Sequence, residues 1–111
     1  MAKQWTLAAA EALFPDVRER TARAVEKTEA LVAQRNELSA EAPEREVIEQ
    51  HIEAEISRWV REMEALGLDI KGIWLVDFDT GSGYLCWKWP EERLAYFHTY
   101  EDGFAGRTLI Q

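Results

Sequence analysis

The sequence predicts an α+β fold: a long antiparallel helical hairpin packed on a three-stranded antiparallel β-meander, with an anchored C-terminal tail. Three observations carry this. All six glycines lie from Gly67 onward, after a long stretch rich in Ala, Glu, Arg and Leu. Apolar and small residues recur at helical spacing in two stretches separated by Pro43. Beyond Gly67, aromatic and branched residues gather in three runs with turn-forming residues between them.

The helices come first. Thr6 reads as an N-cap, opening a short helix over residues 7–13. Pro15 then restarts or kinks it, because proline disfavours helical geometry in the residue before it. From there to about Leu38, Val17, Ala24, Leu31 and Leu38 are spaced by sevens, with Phe14, Thr21, Thr28 and Arg35 as companions. This is a heptad-like stripe diluted by threonines and an arginine. Residues 39–43 form the break, with Pro43 suited to a first helical position. The second helix carries a stronger stripe, Ile48, Ile52, Ile56, Trp59, Met63 and Leu66, and Gly67 stops it. So short a connection makes the two helices, over about 6–66, an antiparallel hairpin.

The meander and tail occupy about 68–111. Strands are expected over 70–78, 84–89 and 94–99. With Gly81-Ser82 as a two-residue turn and Glu91-Glu92 at the second tip, Phe78 lies opposite Leu85, and Leu85 opposite His98. One face then holds Trp74, Val76, Phe78, Leu85, Trp87, Trp89, Leu94, Tyr96 and His98, and should pack on the hairpin. The other holds Ile73, Leu75, Asp77, Tyr84, Cys86, Lys88, Ala95, Phe97 and Thr99, and is more apolar than a solvated face should be. A one-residue slip at either turn would exchange the faces.

Composition bounds the function. The 111 residues are expected to form one domain, 1–111, with 13 Lys+Arg against 21 Asp+Glu and a net charge of -8. That balance argues against nucleic acid and anionic membranes, both of which are held by clustered cations. One cysteine forms no internal disulfide. No apolar stretch is long enough to span a bilayer, and the start lacks the layout of a signal peptide, so a cytoplasmic protein is expected.

A series of motifs runs through the chain: Trp5-Thr6-Leu7, Phe14-Pro15, Leu75-Val76-Asp77-Phe78, Leu85-Cys86-Trp87, Phe97-His98 and Gly103-Phe104-Ala105-Gly106-Arg107. In order and spacing they resemble an uncharacterised family of small bacterial proteins, classified only as a domain of unknown function. The chain departs from that family's pattern at Trp74, where glycine is usual, at Asp79, where proline is usual, at Lys88, where arginine is typical, and at Phe97, where tryptophan is frequent. The resemblance implies a fold and no particular reaction or cofactor.

The polar residues able to carry chemistry are Asp77, Cys86, His98, Glu101, Asp102 and Arg107. A nucleophilic Cys86–His98 pair needs the two side chains within hydrogen-bond reach. The expected register puts them on opposite faces, so Cys86 reads as a small buried hydrophobe. His98, Glu101 and Asp102, gathered by the turn after the last strand, are weak candidates for a metal site. In the tail, two glycines flank Phe104, expected to plug into the core, and Arg107 is expected to pair with Asp77, Asp102 or a helix glutamate.

Two functional readings follow. The leading one is a non-enzymatic, homodimeric interaction module. Its anchors would be Leu75, Tyr84 and Phe97 if the sheet pairs, or Leu31 and Leu38 if the helices do. The alternative is a small enzyme or ligand- or metal-binding protein with its site at the sheet end, where His98, Asp102 and Arg107 converge near Asp77.

Overall fold

A computed structural model describes residues 3–110; Met1 and Ala2 of the opening segment and Gln111 of the tail lie outside the described residues. Helix α1 spans Leu7–Asn36 and α2 spans Glu44–Ala65. Thr6 caps α1 as expected, its hydroxyl accepting from the Ala9 N–H at 3.0 Å. Pro15 does not divide the helix. Interior proline forgoes a backbone hydrogen bond, but Ala10 and Phe14 before it and Val17 after it are all buried in one core, which holds both halves in line. Pro43 sits one position earlier than expected, at the N-cap of α2. Gly67 ends the hairpin with φ +94, a conformation that glycine alone adopts without strain.

The two helices are tied in their interior by one polar link. The Trp59 indole N–H donates to Thr21 Oγ1 at 2.9 Å, and that hydroxyl donates to the Val17 carbonyl at 2.8 Å. Both side chains are fully buried. Thr21→Val keeps the shape and strands the indole N–H, so it should cost about 1–3 kcal/mol in urea unfolding.

The sheet is antiparallel in the order β1-β2-β3-β4-β5, five strands where three were expected. The first expected strand is two, β1 (Asp69–Gly72) and β2 (Leu75–Asp79), joined by the two-residue turn Ile73-Trp74. Trp74 takes φ +60 there. The strain of a left-handed tryptophan is offset by its ring, which packs edge-on against Trp59 at 4.9 Å. β3 (Tyr84–Lys88) and β4 (Tyr96–His98) follow, and the tail contributes β5 (Thr108–Leu109) along β4. The tail is anchored as expected, with the Ile110 N–H donating to the Ala95 carbonyl at 2.8 Å.

The first hairpin has the expected register, with Phe78 opposite Leu85. The second is shifted by one: Leu85 pairs with Phe97, Tyr84 with His98 and Cys86 with Tyr96. The midpoint of pairing falls on Glu91 rather than between Glu91 and Glu92. The cause is how the connection is held. Trp87 Nε1 and Arg18 Nε both donate to the Glu91 carbonyl, at 2.8 and 3.2 Å, and the Lys88 N–H donates to the Glu91 carboxylate at 3.0 Å. These bonds fix Glu91 at the tip.

The slip exchanges the faces of β4 and leaves those of β2 and β3 alone. Val76, Phe78, Leu85 and Trp87 pack on the helices as expected, with Trp5 edge-on to Phe78 at 5.3 Å and Phe14 edge-on to Trp87 at 5.4 Å. Phe97 joins them against the core, so it is no anchor on the outer face. His98 and Tyr96 move to the outer face, beside Asp77, Tyr84 and Cys86. Among the described residues, no helix is long and apolar enough to cross a membrane.

Candidate metal centre

The outer face of the sheet holds three buried groups with chemistry. Asp77 on β2 is directly opposite Cys86 on β3, and His98 on β4 is opposite Tyr84, one diagonal step from Cys86. Their exposures are 0%, 1% and 5%. One ligand atom from each lies within 4.8 Å of the others. The Cys86–His98 proximity that the expected register excluded is therefore present, and the one-residue slip of β4 creates it.

Hydrogen bonding places one hydrogen of His98. Its Nδ1 lies 2.8 Å from the Thr99 carbonyl, which only accepts, so Nδ1 carries the hydrogen. In the neutral ring Nε2 is then a bare lone pair, yet it sits 2.9 Å from Asp77 Oδ2. Two acceptors meet at that distance only when a proton lies between them. The other carboxylate oxygen, Asp77 Oδ1, is buried without any hydrogen-bond partner. Leaving a buried carboxylate oxygen unpaired costs free energy, and such groups mark sites where something else belongs.

Burial pushes the Asp77 carboxyl above its ordinary value, opposed by neighbouring Cys86, His98 and Lys71. The folded chain thus holds this proton more tightly than the unfolded chain. Its contribution to stability is complete below the unfolded value of 3.8 and is lost as pH rises through the folded value. Without metal, urea-unfolding stability should fall with pH across that window in the wild type, and Asp77→Asn should remove that component. Burial and the Asp77 charge together push the Cys86 thiol up to about 12. Cys86 is therefore a protonated thiol near neutrality, unsuited to act alone as a nucleophile.

The three groups open onto a cleft of about 360 Å³, walled by Lys71, Leu75, Tyr84, Tyr100 and Phe104. Glu101 and Asp102 lie exposed at its rim. Of the metal candidates His98, Glu101 and Asp102, only His98 belongs to the cluster of potential ligands; its companions there are Asp77 and Cys86. The Asp102 N–H is spent on Thr99 Oγ1 at 3.1 Å. Tyr100 donates to Asp79 at 2.7 Å, a bond that raises the phenol to about 12.

Arg107 stands beside the cluster. It pairs with Glu91 through both guanidinium nitrogens, one at 3.0 Å, and not with Asp77, Asp102 or a helix glutamate. Tyr96 and Phe104 lie each 4.0 Å from its guanidinium, and Cys86 Sγ is 3.9 Å from Nη1. Phe104 does not plug into the core: it is 40% exposed and stacks on Arg107 instead. The arginine thus clamps the tail to the Glu91 tip. A half-buried bidentate pair with two ring contacts makes Arg107→Ala cost about 1–3 kcal/mol, measurable by urea unfolding.

The fold and the site together define a class: a small α+β protein in which a helical hairpin backs a meander carrying an Asp–Cys–His cluster on its open face. Residues 3–110 match the model of an uncharacterised conserved protein family, DUF2203, and the chain belongs to that family. No curated protein and no solved structure matches it significantly.

Proposed function

We propose that this protein binds a zinc-like divalent ion through Asp77, Cys86 and His98, with one coordination position open to the cleft. The observation that carries this reading is His98 Nε2 held 2.9 Å from the Asp77 carboxylate beside the Cys86 thiol, with Nδ1 turned to a backbone carbonyl. A histidine whose Nδ1–H is held by a backbone carbonyl presents Nε2 to a metal, and the carbonyl then serves as its orienting partner. The ion takes the place of the proton between Asp77 and His98, and it draws on the unbonded Oδ1 for its carboxylate ligand.

The donor set favours zinc over harder ions. One thiolate, one imidazole and one carboxylate suit a borderline-soft cation, whereas magnesium and calcium take oxygen. Three protein ligands and an accessible fourth position are the arrangement of reactive zinc sites, while structural sites close with four. In the open position the ion supplies a polarising centre for a water or a small ligand.

The test is a zinc titration of metal-free protein by calorimetry, with cobalt as a spectroscopic stand-in. One equivalent should bind, with a thermal upshift and a thiolate-to-cobalt absorption band. Absence of stoichiometric binding by either ion would sink the reading.

A further inference from the structure

We infer that the distal half of the helical hairpin is the self-association surface of this protein, covered by the same segment of a second copy running antiparallel to it. Burial carries the first part of the argument. On α1 the last buried residue is Thr28, and on α2 the first is Trp59; none of residues 29–58 between them is buried. Yet this stretch holds Leu31, Ile48, Ile52 and Ile56, spaced for a helical seam and each still partly exposed, with Val47 51% exposed. The molecule is 49 Å along its long axis and 25 Å across. Two helices without a third layer cannot bury a seam on both sides, and an aliphatic stripe left open is a contact surface.

Charge identifies the occupant. A groove of about 600 Å³ is lined by Ala30, Leu31 and Ala54 together with Lys27, Arg61 and Arg58, the last paired with the groove's one carboxylate, Glu55. Lys27 and Arg61 are exposed and make no ion pair with any described residue. The tip of the same hairpin is the reverse. Glu37, Glu41, Glu44, Glu46 and Glu49 stand there against two arginines: Arg35, which reaches Glu49 at 3.8 Å, and Arg45, which is turned inward onto the Arg35 and Leu38 carbonyls.

A parallel dimer would set the acidic tips together. An antiparallel two-fold arrangement sets each acidic tip against the other copy's basic groove, and the contact is the same in both directions. The result is a four-helix contact with apolar seams inside and opposed charge at its edges. A second copy of the chain is thus complementary in both shape and sign, and it involves neither the sheet nor the metal ligands.

Sedimentation velocity between micromolar and 100 µM at low salt tests this directly. The wild type should sediment as a dimer that weakens as salt is raised. Leu31→Asp should give monomer, and so should the charge reversal Lys27→Glu with Arg61→Glu. Adding Glu46→Lys and Glu49→Lys to that reversal should restore association in part. Circular dichroism should show each variant still helical. A wild type that stays monomeric at 100 µM overturns the inference. So does a dimer that survives these arm variants and is lost on Ile73→Asp at the sheet. Zinc titration of the arm variants should be unchanged, so the surface and the metal site stand or fall separately.

Discussion

Cys86→Ser is expected to weaken zinc binding by more than about 100-fold, since even the outer partners of metal ligands are worth 10- to 100-fold. The cobalt-loaded variant should also lack the thiolate charge-transfer band. His98→Ala should abolish stoichiometric binding in the same titration, because it removes the Nε2 lone pair and lets Asp77 point elsewhere. The pH dependence follows from where the protons sit. Binding displaces the proton between Asp77 and His98 and also the Cys86 thiol proton, which burial and Asp77 hold up to about 12. Apparent affinity therefore rises with pH, approaching about 100-fold per pH unit where both protons are bound. In Cys86→Ser only one proton leaves, so the slope should drop toward 10-fold per unit. A wild-type affinity that is flat from pH 6 to 8 would contradict this assignment of ligands.

Trp59→Ala should be the most damaging change to the fold, at about 3–5 kcal/mol by urea unfolding. Trp59 is fully buried, lies edge-on to Trp74, and donates the hydrogen bond that joins α2 to Thr21. The loss has three parts: a large cavity, an unpaired Thr21 hydroxyl lone pair, and the removal of the ring that offsets the left-handed backbone of Trp74. Since domains of this size are stable by about 5–15 kcal/mol, such a variant would sit near the limit of folding. Trp59→Phe should recover most of the volume while still breaking the hydrogen bond, and so separate the two contributions.

The helical hairpin was legible in the sequence because its signals are local. Thr6 caps by its own hydroxyl, Gly67 stops a helix by its own backbone freedom, and the stripe through Phe14, Val17 and Thr21 follows from a fixed 3.6-residue repeat. The Gly81-Ser82 turn belongs to the same class, and the register it sets between Phe78 and Leu85 is found. The split of the first strand was hidden because Trp74 occupies a conformation its own side chain disfavours; the contact with Trp59 that stabilises it lies 15 positions away in sequence. The shift of β4 was hidden for a similar reason. Glu91 is fixed at the tip partly by Arg18, which no local pattern connects to it.

The candidate site depended wholly on that shift. Strand alternation, with the register set by the Gly81-Ser82 turn, places Asp77 and Cys86 on one face, as found. His98 stands out by its chemistry, but the expected register puts it on the inner face, away from Asp77 and Cys86, and only the shift of β4 brings the three together. The expected partners of Arg107 were Asp77, Asp102 or a helix glutamate, whereas it pairs with Glu91 in the displaced connection. The unbonded oxygen of Asp77 leaves no trace in sequence at all.

The connection over residues 89–95 therefore carries an arithmetic constraint. Side chains on a strand alternate, so the length of this loop decides by its parity which of Phe97 and His98 meets the core. Adding or removing two residues leaves both where they are. Adding one would turn an imidazole into the aromatic core and a phenylalanine toward Asp77 and Cys86, with every residue type in the chain unchanged. For this protein, counting residues between two strands is as much a determinant of chemistry as the identity of the ligands, and drift in the loop is safe only in even steps.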